Sequence, residues 1–282
     1  MSEFGIAGIQ MDVVAGHPER NLEQILGYAE QAAELGAQLV VFPECALTGY
    51  CFDSLEEAQQ NALSMNSDCF RSLAEASEQL KVAICVGSLL REEVNGEIRV
   101  RNSVLTFHEG KCIDTYHKIH LPFLGVDRFV TPGETIHQPI SIEGLKVGIH
   151  ICYEGGFPEV ARTLALDGAD LVILPTNWPP GSSVSWQAIP MCRSLENRVF
   201  FMSVNRIGNE RGTEFIGHST ICGVTGEWLA TAEHDRTAMI FAQIDPEEAR
   251  RKHLILEPGK YEVDRIGDRR PDLYHRLTQS DS

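Results

Sequence analysis

Residues 148–161 have the sequence GIHICYEGGFPEVA. An apolar run, Val147–Ile151, predicts a buried strand, and Cys152 stands where that strand ends. Two glycines then predict a turn, and Pro158 predicts the start of a helix. A thiol on a strand-to-helix turn lies near free backbone N–H groups, so Cys152 is a candidate nucleophile as well as a candidate buried thiol.

Apolar periodicity predicts that strands and helices alternate along the rest of the chain. The expected strands cover residues 4–14, 38–43, 82–92, 98–107, 111–117, 146–151, 171–174, 199–205, 217–222 and 238–244. The expected helices lie between Pro18 and Gly36 and over residues 54–64, 68–80, 158–167 and 184–197. The prediction is one α/β domain over residues 1–282, with a long loop at 119–139 and an extended C-terminal tail at 253–282.

Composition and charge limit the class of partner. The chain has 282 residues, and its apolar fraction of 43% is typical of a globular enzyme. A net charge of −16 repels phosphate backbones and anionic lipids, so we expect neither a nucleic-acid nor a membrane partner. No apolar run approaches the roughly 20 residues that a bilayer requires, and the N-terminus does not read as a secretory signal.

The eight cysteines indicate the compartment and argue against a metal site. None of them forms a C-x-x-C pair or stands beside a histidine at the spacing of zinc ligands. Several lie in apolar strand-like runs, where cysteine acts as a small hydrophobe. The sequence therefore predicts reduced thiols in the cytoplasm.

Three of the expected strands end in a reactive side chain, namely Glu44, Lys118 and Cys152. Binding sites in α/β proteins form outside the carboxyl ends of strands, so these ends are expected to lie together. A thiol, an ammonium and a carboxylate suit acyl transfer. The thiol attacks a carbonyl carbon, the carboxylate moves protons, and the ammonium stabilises the oxyanion.

The segments around these residues resemble the signature of the nitrilase superfamily of carbon–nitrogen hydrolases. The resemblance rests on their order, their separation and the position of each reactive residue at a strand end. It covers almost the whole chain. The matching segments are Ile6–Gln10, Val40–Glu44 with Leu47–Tyr50, Tyr116–Leu121, Gly148–Glu154, Leu174–Trp178, Arg193–Arg198 and Arg269–Tyr274.

The resemblance implies a four-layer α-β-β-α sandwich and a catalytic triad. In it, Glu44 is base and acid, Lys118 stabilises the oxyanion, and Cys152 is the nucleophile that forms a thioester. It also implies a homodimer or larger homo-oligomer in which the 253–282 tails exchange between subunits. The implied substrate is a small-molecule amide or nitrile, and neither a metal nor an organic cofactor is expected.

One position departs from the family pattern. Many members carry a second glutamate in the loop after the lysine, just before the segment that is Arg128–Gly133 here. This chain has Asp127 instead, one residue out of register and one methylene shorter. Whether the Asp127 carboxylate reaches the site is a question for the structure.

Further residues are candidates for binding substrate or supporting the site. Tyr50, Tyr153 and Trp178 are aromatic residues in the matching segments, and such residues either line a pocket or pack in the core. Glu154 and Asn177 are candidate polar groups around the site. The backbone N–H of Tyr153 is a candidate second donor to the oxyanion.

Four alternatives are considered at this stage. Two alternatives lie within the family. One is a nitrilase, whose reaction passes through a thioimidate, and the other is an N-carbamoyl amide hydrolase. Nitrile-cleaving members often have tryptophan where this chain has Tyr153, which favours an amidase. A serine-dependent amidase is disfavoured because no G-x-S-x-G elbow is present. The last alternative is a family-like scaffold without catalysis.

Overall fold

Two six-stranded sheets form the centre of the protein in a computed structural model that describes residues 3–279. The remaining residues, 1–2 and 280–282, belong to the expected domain and tail and lie outside the described part. The strands are β1 Phe4–Gln10, β2 Leu39–Val41, β3 Ala83–Val94, β4 Glu97–His108, β5 Lys111–His117, β6 Ile140–Ile142, β7 Leu145–Ile149, β8 Leu171–Pro175, β9 Phe200–Val204, β10 Asn209–Glu210, β11 Thr213–Glu214, β12 Thr220–Cys222, β13 Trp228–Thr231, β14 Ala238–Ile244, β15 His253–Glu257 and β16 Tyr261–Asp264. The helices are α1 Pro18–Glu34, α2 Leu55–Asn61, α3 Asp68–Leu80, α4 Pro158–Leu166, α5 Ser185–Asn197 and α6 Pro246–Arg250.

The strand order places parallel strands inside each sheet and antiparallel strands at its edges. The first sheet runs β14-β1-β2-β3-β4-β5, with β1, β2 and β3 parallel. The second runs β13-β12-β9-β8-β7-β6, with β7, β8 and β9 parallel. The carboxyl ends of β2 in one sheet and of β7 and β8 in the other lead into the segments that carry Glu44, Cys152 and Asn177.

Helices cover the outer face of each sheet, so the protein has four layers. Alternate residues of one strand face opposite layers: Val41 packs in the cluster between the sheets, and Val40 packs in the cluster beneath α1 and α3. The second sheet carries α4 and α5 on its outer face. The sheets approach closely at Gly8, where a Cβ would lie 2.9 Å from Val204 and 3.0 Å from Met202. The expected α-β-β-α sandwich is confirmed.

The longest described helix, α1, shows why the helices belong to this layered core. Its buried residues, Asn21, Ile25, Ala29 and Ala32, recur at the spacing of one helical face. Pro18 occupies its first turn, where the missing N–H costs no hydrogen bond. Within residues 3–279, no helix has both the length and the apolar character that crossing a membrane requires.

Several boundaries differ from the sequence predictions. The first strand ends at Gln10 rather than residue 14, because its partner β14 begins opposite, at Ala238. Two short edge strands, β6 and β13, were not predicted, since three or four partly exposed residues give little periodic signal. The segment after residue 252 is not simply extended, because β15 and β16 pair as a hairpin.

Candidate active site

Glu44 lies on a sharp turn after β2, and the backbone of β3 holds this turn. The Phe42 N–H donates to the Cys85 carbonyl at 2.9 Å, and the Leu47 N–H donates to the Gly87 carbonyl at 3.1 Å. A Cβ at Gly87 would lie 2.7 Å from the Cα of Glu44, closer than real contacts of this kind. The glycine therefore permits the strand to pass directly against the turn that carries the carboxylate.

Lys118 follows β5 and extends completely buried between two carboxylates. Its Nζ donates to Glu44 Oε1 at 2.6 Å and to Asp127 Oδ2 at 2.6 Å. Asn102, in the middle of β4, donates from the same Nδ2 to Glu44 Oε1 at 2.7 Å and to Asp127 Oδ1 at 3.0 Å. These four side chains form a buried charged cluster with two carboxylates and one ammonium.

Asp127 joins this cluster in spite of its short side chain. It lies on the 3-10 turn Gly125–Arg128, and its Oδ2 also accepts the Tyr50 hydroxyl at 2.9 Å. A Cβ at Gly125 would lie 2.2 Å from the Tyr50 ring, so the turn packs directly on that ring. This close packing brings the carboxylate to Lys118 and answers the question that the sequence raised about its reach.

Cys152 begins the 3-10 turn Cys152–Gly156, three residues after the last residue of β7. Its φ of +49° lies in the left-handed region, which is uncommon for residues other than glycine. Strained backbone of this kind persists only where the surroundings hold it, and it is frequent at functional sites. The thiol is almost completely buried.

Glu154 holds the Cys152 turn against the strand that leads to Lys118. Its Oε2 accepts the Ile151 N–H at 2.6 Å, and its Oε1 accepts the Ile119 N–H at 2.8 Å. The Tyr116 hydroxyl donates to the same carboxylate at 3.0 Å. Glu154 is therefore an anchor between two site-bearing segments, and its carboxylate is fully engaged there.

Burial and neighbouring charges set the ionisation of the site. Burial raises the pKa of the Cys152 thiol to about 12, and the Glu44 carboxylate adds to the rise, whereas Lys118 and the Asn177 backbone N–H oppose it. Burial raises the pKa of Glu44, with Lys118 opposing and Asp127 adding to the rise. Burial alone would lower the pKa of Lys118, but Asp127 and Glu44 outweigh it and raise that pKa well above its usual range.

The two oxygens of Glu44 have different environments. Oε1 accepts hydrogen bonds from Lys118 and Asn102, whereas Oε2 is buried and has no hydrogen-bond partner among residues 3–279. The hydrogen bonds to Oε1 thus fix the carboxylate, and Oε2 is available to accept a proton. A carboxylate with a raised pKa, beside a thiol and an ammonium, is equipped for proton transfer and for oxyanion stabilisation.

A cavity of about 270 Å³ opens beside the cluster. Tyr50 and Asn177 connect it to the site, since Tyr50 contacts Asp127 and the Asn177 backbone N–H acts on the Cys152 thiol. The lining residues are Tyr50, Cys51, Asp53, Phe123, Leu124, Gly125, Arg128, Asn177, Pro179, Arg211, Thr213 and Phe215. A larger cavity of about 780 Å³ lies elsewhere, between α4 and the segment after residue 262.

Two predicted aromatic residues lie outside this lining. Tyr153 is 46% exposed, and its ring packs edge-on against Phe157. Trp178 is buried in the cluster between the layers, and its backbone N–H donates to Asn205 Oδ1 at 2.9 Å. Of the candidate supporting residues, the structure thus brings Tyr50 and Asp127 to the cluster and Asn177 to the cavity, with Glu154 as an anchor.

Asn102 is a site residue that the sequence analysis missed. It lies 58 residues from Glu44 and 25 from Asp127 along the chain, in the middle of a strand rather than at its end. The available signal was an asparagine inside the predicted strand 98–107, because a buried asparagine requires hydrogen-bond partners.

Comparison with known proteins then identifies the family of the chain. A sequence model described as carbon-nitrogen hydrolase matches residues 5–253. The chain belongs to the carbon–nitrogen hydrolase family. This confirms the expected nitrilase-superfamily membership and an enzyme that hydrolyses carbon–nitrogen bonds. Among the relatives of this hydrolase, a protein of Pyrococcus abyssi (strain GE5 / Orsay) named nitrilase is 33% identical over 96% of the chain and 99% of its own length.

The chain is also similar to two proteins that are named amidases. A chloroplastic protein of Arabidopsis thaliana named omega-amidase is 30% identical over 97% of the chain and 74% of its own length. The amidase of Nesterenkonia sp. AN1, a nitrilase-superfamily protein, superposes with a TM-score of 0.79 at 23% identity over 99% of this chain and 98% of that one. A mutant of that amidase carries the acetamide moiety of fluoroacetamide on its active-site cysteine.

Proposed function

We propose that the protein hydrolyses a small-molecule amide to a carboxylic acid and ammonia through a thioester on Cys152. Glu44 serves as base and acid, and Lys118 stabilises the oxyanion. The observation that carries this proposal is the buried contact of Lys118 Nζ with Glu44 Oε1 at 2.6 Å, with Glu44 Oε2 unpaired among residues 3–279. Besides burial, both groups act on the pKa of the Cys152 thiol, which Glu44 raises and Lys118 lowers, and this supports a common site for the three residues.

In the first step, the Cys152 sulfur attacks the amide carbon. A thiol with a pKa of about 12 is scarcely ionised at neutral pH, so its proton leaves as the new bond forms. Glu44 accepts that proton, and its raised pKa makes it a stronger base than an ordinary carboxylate. The sulfur–carbon bond forms, and the electron pair of the carbonyl π bond moves to the oxygen.

The tetrahedral oxyanion then requires positive charge that does not dissociate. The raised pKa of Lys118 keeps the ammonium charged across the physiological range. The backbone N–H of Tyr153 is the proposed second donor. Donors that are fixed in a buried site stabilise developing charge strongly, because they require no reorganisation.

Collapse of the oxyanion releases the nitrogen. Protonated Glu44 gives its proton to the leaving nitrogen, the carbon–nitrogen bond breaks, and its electron pair departs with ammonia. A water molecule then attacks the thioester, and Glu44 accepts one of its protons. The sulfur–carbon bond breaks, the sulfur regains a proton, and the net reaction consumes one amide and one water.

The cavity favours a short substrate with a negative charge at the far end. Its volume of about 270 Å³ suits a small molecule, and Arg128 and Arg211 both lie in its lining. The exposed carboxylate of Asp53 bridges them, 3.2 Å from Arg211 Nη1 and 3.8 Å from Arg128 Nη2. We propose that a substrate carboxylate replaces Asp53 there, as in the monoamide of a dicarboxylic acid. The name of the Arabidopsis relative, omega-amidase, agrees with this proposal.

The test is ammonia release from a matched substrate panel. It pairs monoamides of dicarboxylic acids with neutral amides of equal length, and adds carbamoyl amino acids and nitriles. Cys152→Ala is the test variant, and Cys192→Ala is its control because Cys192 is an exposed thiol. We expect release from the monoamides, lost in Cys152→Ala and kept in Cys192→Ala. A charge-assisted contact worth about 1.5 kcal/mol gives the monoamides a roughly tenfold lower KM than the neutral amides.

The other outcomes of the panel lead to other functions. Release from nitriles alone would indicate a nitrilase, the name that the Pyrococcus abyssi relative bears. Release from carbamoyl amino acids alone would indicate an N-carbamoyl amide hydrolase. Turnover that survives Cys152→Ala would contradict the proposed nucleophile, and a wild type that turns over none of these substrates would contradict the proposed small-molecule amide substrate.

We also propose that the protein works as a homodimer or larger homo-oligomer, with the segment after residue 252 packed against a second copy. Apolar side chains of this segment face solvent in the single chain, among them Leu256, Leu273 and Leu277. Exposed apolar groups concentrated in one segment are typical of an interaction surface.

A further inference from the structure

We propose that the buried ion pair of Arg206 and Glu210 is a positioning device for the active site. It holds the backbone of Tyr50 so that the Tyr50 hydroxyl fixes Asp127, and Asp127 fixes Lys118. The inference rests on the proposed function, since it concerns the placement of the proposed oxyanion stabiliser. Neither Arg206 nor Glu210 belongs to the charged cluster itself.

The pair is buried and tied to several parts of the chain. Arg206, just after β9, is completely buried, and its Nη1 donates to Glu210 Oε2. Its Nη2 donates to the Val13 carbonyl at 2.8 Å and to Asp12 Oδ1 at 3.2 Å. The guanidinium lies 4.4 Å from the centre of the Phe215 ring, which lines the cavity. Buried ion pairs add little net stability over apolar residues, so a conformational role is the better explanation.

Glu210 uses its second oxygen on the Tyr50 loop. Oε1 accepts the Tyr50 N–H at 2.8 Å and also accepts the N–H of Cys51. The preceding Gly49 has a φ of +87°, and a Cβ there would lie 2.6 Å from the Cα of Ala15. The loop is therefore fixed from two sides, by a tight turn and by a carboxylate that Arg206 orients.

The fixed loop ends in a hydroxyl that reaches the catalytic cluster. The Tyr50 hydroxyl contacts Asp127 Oδ2 at 2.9 Å and the Leu124 carbonyl at 3.1 Å. The same Asp127 oxygen accepts Lys118 Nζ at 2.6 Å. A shift of the Tyr50 backbone would thus move the group that aims Lys118, and displacements of about 1 Å at a reacting centre cost about a hundredfold in rate.

The experiment is a double-mutant cycle on kcat for ammonia release. Glu210→Gln is made in the wild type and in Tyr50→Phe, which removes the hydroxyl that carries the effect. We expect Glu210→Gln to lower kcat by about tenfold to a hundredfold in the wild type. In Tyr50→Phe we expect the same change to lower kcat less than threefold, because residues that act through one contact are not additive.

Asp170→Asn is the matched control. Asp170 is also buried, and its Oδ2 also accepts one backbone N–H, that of Lys146 at 3.0 Å, and one guanidinium, that of Arg250 at 2.8 Å. It precedes β8 at the amino end, whereas the site lies beyond the carboxyl ends. We expect Asp170→Asn to lower the midpoint of urea unfolding and to leave kcat within twofold of the wild type.

Several results would overturn the inference. They are an unchanged kcat in Glu210→Gln, an equal loss in both Tyr50 backgrounds, or an equal loss in Asp170→Asn. If Glu210→Gln does not fold, Arg206→Lys replaces it in the cycle, since it keeps the charge but loses contacts, and the same non-additivity is required. A wild type without Cys152-dependent release would overturn the proposed function and this inference together, whereas active enzyme without coupling would overturn the inference alone.

Discussion

The buried charged cluster contains more negative than positive charge. Glu44 and Asp127 are two carboxylates around one ammonium, that of Lys118, and all three side chains are completely buried. Burial raises the pKa of Glu44, Lys118 opposes the rise, and the neighbouring Asp127 carboxylate adds to it. Asp127 therefore has two effects, since it orients Lys118 and makes Glu44 a stronger base.

The substitution Asp127→Asn removes the negative charge of this side chain and keeps its size and shape. Glu44 must be deprotonated to accept the thiol proton, so activity is lost as the pH falls through its pKa. Removing the Asp127 charge lowers that pKa, so we expect the acidic limb of the kcat/KM profile to move to lower pH. We also expect kcat to fall about tenfold, since a hydrogen bond to a charged group contributes about 1.5 kcal/mol.

The measurement is the pH dependence of kcat/KM, which reports the ionisation of the free enzyme. The control is Asp68→Asn, which removes an equal charge from a side chain that is 88% exposed and pairs with Arg71 on the surface of α3. We expect its acidic limb to coincide with that of the wild type. An acidic limb that stays in place or rises in Asp127→Asn would show that Asp127 does not raise the pKa of Glu44.

Among individual residues, the sequence predicts those that lie at or just beyond a strand end. Glu44, Lys118 and Cys152 stand at or just beyond strand ends, where a reactive side chain among apolar neighbours is visible in the sequence. The reach of Asp127 was not predictable, because it depends on the packing of a loop turn against the Tyr50 ring. Long-range contacts made from inside a strand, such as those of Asn102, leave almost no local signal.

Among the secondary-structure elements, strand β3 packs closely against the turn that carries Glu44, and this packing depends on Gly87. A Cβ there would lie 2.4 Å from both the Pro43 carbonyl oxygen and the Cys45 nitrogen. These are backbone atoms that cannot rotate away, so either the strand or the turn must move. We expect Gly87→Ala to destabilise the fold by about 1–3 kcal/mol, as overpacked cores do, and to lower kcat at least tenfold.

Urea unfolding and kcat, measured on the same preparations, test this expectation. Gly27→Ala is the matched control, since Gly27 lies within α1 and a Cβ there would meet no atom within 4 Å. Alanine favours helix over glycine by about 0.5–1 kcal/mol, so we expect this control to be more stable than the wild type and equally active. A Gly87→Ala protein with the stability and kcat of the wild type would show that the close approach is unnecessary.

The elements that the sequence predicted well are those with a long or continuous apolar pattern. The helix α3 and the hairpin of β3 and β4 fall within two residues of their expected bounds, because α3 buries one face and each of the two strands buries a continuous run of residues. Short pieces such as β6, β10 and β13 were missed, since two to four residues span too little of a period.

At the scale of the whole molecule, periodicity could not assign strands to sheets. Nothing local in the sequence indicates that β14 pairs with β1, because the two strands are far apart along the chain. The side chain of Gln10, for example, donates to the carbonyl of Glu233, which is 223 residues away. The four-layer arrangement came from the resemblance of the motifs and not from the pattern. The local sequence predicts the association of several chains even less well than the pairing of strands, so the proposed oligomer requires its own test.

The last prediction concerns this assembly. Leu256, on the β15 side of the C-terminal hairpin, is 62% exposed in the single chain, so an aspartate there costs the monomer little. If the segment packs against a second copy, that aspartate would become a buried unpaired charge, which is strongly unfavourable. We expect light scattering to give at least twice the chain mass of 31.3 kDa for the wild type, and mainly the monomer mass for Leu256→Asp. Leu35→Asp, at the end of α1 and 60% exposed, should remain oligomeric, and a monomeric wild type would refute the proposed packing.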